Sequence, residues 1–208
     1  MRPTYTIEDL LGSRSRIAVL RVLHGVEVPL NTSQIAVRAK LSHVAAGSVL
    51  SDFVSMGVVF SSPAGRATVH WLNRESVYVE NMLQPLFQAE RNVPDDLVDD
   101  LAWVFQDEAI SVVLFGSYAR GDQTPGSDVD VALVAEGPDE KSTLESAIAD
   151  HASEFRNRFG APLSALTYTR REAAALWDTS PNLAESLCRD GLVVSGLSPW
   201  DWCDHAEE

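Results

Sequence analysis

The stretch that most constrains this chain is Gly116-Ser117, ten further residues, then Asp128-Val129-Asp130. An apolar run, Val112-Val113-Leu114-Phe115, precedes it, and a second, Val131-Ala132-Leu133-Val134, follows it. The segment between them is polar and rich in glycine. The pattern predicts strand, glycine-assisted turn, strand. Strand side chains alternate faces with a period of two, so Asp128 and Asp130 project from one face at the head of the second strand. Two neighbouring carboxylates repel unless a cation lies between them, and oxygen donors of this kind suit Mg²⁺. Glycine and serine at the other end let backbone N–H groups come close to phosphate oxygens.

These residues resemble the signature of the polymerase β-like nucleotidyltransferases, in particular the minimal ones. Arg120-Gly121 after the glycine turn and Ser127 ahead of the first acid fit the same pattern. The resemblance implies that Asp128 and Asp130 are catalytic metal ligands for Mg²⁺ or Mn²⁺. It also implies that Gly116, Ser117, Arg120 and Ser127 bind the phosphates of a nucleoside triphosphate. Members of that family place a third acid on the strand after the next long helix. Here that strand is Leu163-Ser164-Ala165-Leu166-Thr167-Tyr168, and Ser164 stands where the acid is expected. A serine donates hydrogen bonds but brings no charge for a second metal. Nucleotide and single-metal binding are therefore better supported than turnover, and whether the chain is an enzyme stays open.

Charge divides the chain. Residues 1–80 hold eight Lys/Arg against six Asp/Glu, a net +2. Residues 81–208 hold eight against 24, a net −16. Such asymmetry predicts two domains with different partners, and the acidic part argues against a nucleic acid as its own main ligand. Hydrophobic residues make up 45% of the chain, enough for packed cores. No apolar run reaches membrane-spanning length, and the first residues lack the apolar core of a secretion signal. Two cysteines without metal-type spacing, Cys188 and Cys203, predict free thiols in a cytoplasmic protein with no membrane contact.

From the N-terminus, Ile7–Leu23 has helical periodicity, with Gly12 a point at which it divides. Asn31 and Gln34 have the form of a capping box opening a short helix. A turn at Lys40-Leu41-Ser42 leads into a helix from His43 to Met56, closed by Gly57. Val49, Leu50, Phe53 and Val54 are expected inside, and His43, Ala46, Gly47, Ser48, Ser51 and Asp52 outside. Val58-Val59-Phe60 and Thr68–Leu72 then form strands joined through residues 61–66. This order resembles a winged helix-turn-helix, which implies DNA contacts from His43, Ser48 and Ser51 in the major groove and from Arg66 to backbone phosphate. No Arg, Asn or Gln stands on the exposed face for bidentate base reading. His43 reads equally as a helix-start residue, and the alternative for the whole domain is a homodimerisation or docking module that has lost DNA binding.

Asn73 to Phe105 predicts two helices with a break at Pro94. Asp139 to Phe159 predicts a long helix with His151 packed on its apolar face. Helices over 170–177 and 182–189 and an edge strand at 192–194 follow. The fold class is α+β: a winged helix-turn-helix over residues 1–75, a helical linker over 76–94, and over 95–208 a nucleotidyltransferase-fold mixed sheet with flanking helices. Three functions fit this layout. One is a nucleotidyltransferase acting on a small molecule or a protein hydroxyl. Another is a nucleotide-sensing transcription regulator with an inactive site. The last is an antitoxin-like protein bound to a protein partner.

Overall fold

The computed structural model describes residues 4–202, and the chain divides into two compact units, Met1–Asn92 and Val93–Glu208. Cys203 and the acidic end of the chain lie outside the described residues.

The first unit opens with helices α1 (Ile7–Leu11) and α2 (Arg14–His24), which part at Gly12 because Ser13 caps α2. A two-residue strand β1 (Leu30–Asn31) leads into α3 (Thr32–Arg38), whose capping box pairs Asn31 with Gln34. Residues 39–42 then turn the chain into α4 (His43–Ser55), capped by Ser42. Strands β2 (Val59–Ala64) and β3 (Ala67–Leu72) complete an antiparallel sheet in the order β1-β3-β2. They are joined by a two-residue turn, Gly65-Arg66, in place of the six-residue loop expected. Pro63 is tolerated because β2 is an edge strand. Leu20, Leu23, Ile35, Leu50 and Phe53 fill the core. Two side chains of α4 depart from expectation: Ala46 is buried, and Val54 lies at the surface.

A π-helical turn, Val79–Leu83, runs into α5 (Gln84–Phe105). The helix break expected at Pro94 is absent, and Pro94 lies inside α5. Its ring removes one N–H donor. Before it, Leu83 and Phe87 are buried in the first unit's core, and after it Leu97, Leu101 and Phe105 are buried at helical spacing in the second unit's.

The second unit is built on a mixed four-stranded sheet in the order β6-β5-β4-β7. Strand β4 (Ser111–Phe115) pairs antiparallel with β5 (Val129–Ala135) and with β7 (Leu192–Gly196). Strand β6 (Leu163–Thr169) lies parallel to β5, as the intervening helix α7 (Pro138–Phe159) allows. Val129, Val131 and Leu133 of β5 face a core shared with α5 and α7. Ala132 and Val134 face a second core with Ala173, Leu176 and Leu187. The region expected as one helix over 170–177 is two, α8 (Arg170–Ala174) and α9 (Leu176–Thr179). Helix α10 (Pro181–Asp190) follows. A 3₁₀ turn, Pro199–Trp202, then buries Trp202, whose Nε1 donates to Ser111 Oγ at 3.1 Å. No helix among the described residues is long and apolar enough to cross a membrane.

Candidate active site

Between β4 and β5 the chain does not make a simple glycine turn. Gly116 opens a one-turn helix, α6 (Gly116–Arg120), and residues 121–128 return to β5. Gly116 has φ +71°, a backbone conformation that side-chain-bearing residues reach only with strain. It also has a neighbour that forbids a side chain. A Cβ added there would overlap Asp130 Oδ2 and approach Asp130 Cγ to 3.1 Å. The antiparallel register explains the proximity, since Phe115 is paired with Asp130.

Asp128 stands just before β5 and is exposed, Val129 is buried, and Asp130 is half-buried. The alternation sends Val129 into the core and leaves the two acids on the opposite face. Burial pushes the Asp130 carboxyl above its usual range. The Ser164 hydroxyl, donating a hydrogen bond, offsets part of that rise, Asp128 adds to it by like charge, and Arg120 opposes it. Ser164 is the register partner of Asp130 across the parallel β5–β6 pair.

Glu172, the next acid along, sits in the first turn of α8, where its carboxylate accepts from Thr169 N at 2.8 Å and from Lys141 Nζ at 2.7 Å. It is eight residues past Ser164. Five residue steps of strand separate Ser164 from Thr169, about 16 Å along β6, so Glu172 belongs to the other end of the sheet. Among the described residues, no group of three His, Cys, Asp or Glu is arranged to hold a metal.

Arg120 is exposed, and its Nε donates to Asp122 Oδ2 at 3.2 Å. Asp190 at the end of α10 also feels its charge. Sequence reading missed both acids, and Asp122 was the more findable because it follows Arg120-Gly121 directly. Ser117 is half-buried on α6, and its carbonyl accepts from Asp122 N at 3.1 Å. Ser127 is engaged in its own turn, with Oγ accepting from Thr124 N at 3.0 Å. The structure thus brings together Gly116, Asp128, Asp130 and Ser164, with Arg120 nearby, and ties Ser127 to the return loop. His43, Ser48 and Ser51 are exposed on α4 and Arg66 is exposed at the β2–β3 turn, all in the first unit.

Two carboxylates and a hydroxyl form a set of hard oxygen donors, and the Asp130 carboxyl, raised by burial first and by the like charge of Asp128 to a lesser extent, would be eased by a cation. The donor set fits one divalent ion.

Residues 95–173 match the nucleotidyltransferase domain family. Two curated proteins of Methanocaldococcus jannaschii are similar. Putative protein adenylyltransferase MJ1305 is 33% identical over 82 residues, 39% of this chain and 56% of that protein. Putative protein adenylyltransferase MJ0141 is 34% identical over 84 residues, 40% of this chain and 83% of that protein. The chain therefore spans little more than half the length of the first of these relatives. A solved structure described as a toxin-antitoxin with AMP-PNP aligns over 52% of this chain and 82% of that one, at 19% identity and a TM-score of 0.37. That likeness is too distant to bear on fold or ligand.

Proposed function

This chain belongs to the nucleotidyltransferase domain family, and on that premise we propose that its second unit binds a nucleoside triphosphate with a divalent cation and transfers the nucleotidyl group to a hydroxyl of a protein. The observation that carries this reading is the side-chain-free face of Gly116 set against the Asp130 carboxylate. Asp128 and Asp130 hold the cation, Mg²⁺ or Mn²⁺. When bound, that ion neutralises triphosphate charge and supplies Lewis acidity to the reacting oxygens. Gly116, whose lack of a side chain lets the Asp130 carboxylate lie against the backbone, and Ser117 next to it bind the phosphates, and Arg120 exchanges its contact with Asp122 for them. The acceptor hydroxyl gives its proton up to solvent, and its oxygen bonds to the α-phosphorus as the bond to the leaving pyrophosphate breaks. A protein acceptor and adenylyl as the transferred group are suggested by the relatives' names.

A second reading rests on Ser164. With a serine in register beside Asp130, the site keeps the donors for one ion, the requirement of a nucleotide sensor rather than of a transferase. The first unit supports that alternative. Its α3, turn, α4 and β2–β3 hairpin follow one another as in a winged helix-turn-helix, with α4 as the recognition helix. We assign residues 1–75 to that DNA-binding role, 76–94 to a linker and 95–208 to the transferase domain.

The deciding experiment incubates the protein with each of the four α-labelled nucleoside triphosphates and Mg²⁺ or Mn²⁺, with and without cell extract. Label on a protein, lost in Asp128→Asn, supports the transferase. If wild type transfers nothing and Ser164→Asp does, the chain is a sensor. If neither transfers label and no nucleotide raises thermal stability, both readings fail.

A further inference from the structure

The outward face of α4 has an unexpected composition. Val44, at its second position, is 80% exposed. Ser48 and Ser51, four and seven residues on, share its face, while Ala46, Val49, Leu50 and Phe53 are buried on the other. The one acid near this face, Asp52, is held by Arg16 at 2.5 Å. Cations stand close by in sequence and at the hairpin. Arg38 ends α3, Lys40 lies in the turn into α4, and Arg66 occupies the β2–β3 turn. All three are exposed, and none is in an ion pair among the described residues.

We infer that Val44 reads the C5-methyl group of a thymine in the major groove of duplex DNA. The inference rests on the DNA-binding role proposed above for the first unit. An uncharged helix face, in a unit that carries unpaired cations in the turn before that helix and at the hairpin, matches a groove whose floor presents base edges and whose rims are phosphate. No side chain on this face makes a bidentate contact of the kind Arg makes with guanine or Asn with adenine. The base-specific feature that an aliphatic side chain recognises in the major groove is the thymine methyl. Burying that methyl against Val44 removes apolar surface from water on both partners. His43 and Ser48, on either side, supply polar groups to neighbouring base edges or phosphates. A helix without Arg, Asn or Gln thereby still distinguishes thymine from cytosine.

The test starts with duplexes selected by the full-length protein from a randomised pool. Thymines in the selected sequence are replaced singly by deoxyuridine, which lacks only the methyl. Binding is then titrated for wild type, Val44→Ala and Val37→Ala. Val37 is a matched control, 78% exposed at the end of α3. Wild type is expected to lose about three- to fivefold in affinity at one thymine, the effect of one buried methyl group. Val44→Ala is expected to bind the thymine and uracil duplexes equally, and Val37→Ala to discriminate like wild type. The inference is overturned if no thymine is sensitive, if Val44→Ala still discriminates, or if Val37→Ala loses discrimination equally; in each case DNA binding itself survives. If no duplex is retained at micromolar protein and low salt, the DNA-binding role falls, and the inference with it.

Discussion

Gly116 and Gly121 share a left-handed backbone, φ +71° and +70°, and differ in what surrounds them. A methyl group at Gly121 would meet nothing within 4 Å, whereas one at Gly116 would strike the Asp130 carboxylate. Each alanine substitution should cost roughly 1–2 kcal/mol for the backbone alone. Gly121→Ala should therefore lower the melting temperature and leave nucleotide binding intact. Gly116→Ala should pay the same cost and also lose nucleotide-dependent stabilisation. If both variants bind nucleotide equally, Gly116 has no part in the site. Asp130 itself yields a pH prediction. Burial raises its carboxyl in the folded chain, so its contribution to stability is fully present below the unfolded value and is lost as pH rises through the folded one. Ionised Asp130 is thus a liability at neutral pH. Without metal, Asp130→Asn should melt a few degrees above wild type at pH 7, with the gap closing as pH falls through the carboxylate range. A gap that widens toward acid would reverse the assignment. The serine opposite Asp130 was legible from order alone, because the strand after the long helix contains no acid. The Asp122 contact to Arg120 was not, since a loop of this kind shows no periodicity to reveal which charge faces which.

Helices α5 and α7 are joined within the second unit by a three-membered cluster. Asp100, 7% exposed, accepts from Arg158 at 2.6 Å and lies 2.9 Å from His151 Nε2. The His151 ring stands edge-on to Phe105 and Phe155, the packed histidine expected from its place on an apolar face. Asp100→Ala removes the acceptor common to both partners and should cost about 2–3 kcal/mol, measured from the urea midpoint. Arg158→Ala should cost about 1 kcal/mol or less, because the guanidinium is 57% exposed and water replaces its partner. Equal losses from the two would show that Asp100 acts through Arg158 alone. Long elements such as α7 and the paired strands were legible because periodicity accumulates over many residues. Those that escaped were short or ambiguous. Strand β1 has two residues, too few for any alternation. Helix α6 is one turn long, and its glycine start is indistinguishable in sequence from a turn. Pro94 read as a boundary because proline and two acids mark a helix start. The buried residues after it, Leu97, Leu101 and Phe105, recur at helical spacing, and α5 runs through Pro94 despite one missing hydrogen bond.

Across the whole molecule, each unit has apolar cores of its own, one in the first and two in the second among the described residues, and the charge is uneven. Leu20, Leu50 and Phe53 anchor a core in the first unit, and Leu101, Leu133 and Phe155 anchor one in the second. The first 80 residues carry +2 and the remainder −16. On the roles proposed for the two units, a polyanion and a nucleotide–metal complex would therefore have different places to go. Duplex DNA meets net repulsion from the acidic part, so its affinity should be weak for a monomer and fall steeply with salt. On the function proposed for the second unit, a divalent ion and triphosphate would gain from neutralising the paired acids Asp128 and Asp130. A ligand that binds only the folded form stabilises it by mass action, by ~2.7 kcal/mol at a hundred times its dissociation constant. For a unit of this size that is a shift on the order of 10 °C. Calorimetry of the full chain should then resolve two transitions. Mg²⁺ with nucleotide should move one, and Asp128→Asn should abolish that movement. The selected duplex at low salt should move the other, and Asp128→Asn should leave that movement unchanged. A single transition displaced alike by both ligands would mean that the two cores unfold together, and the separation of roles between the units would lose its physical basis.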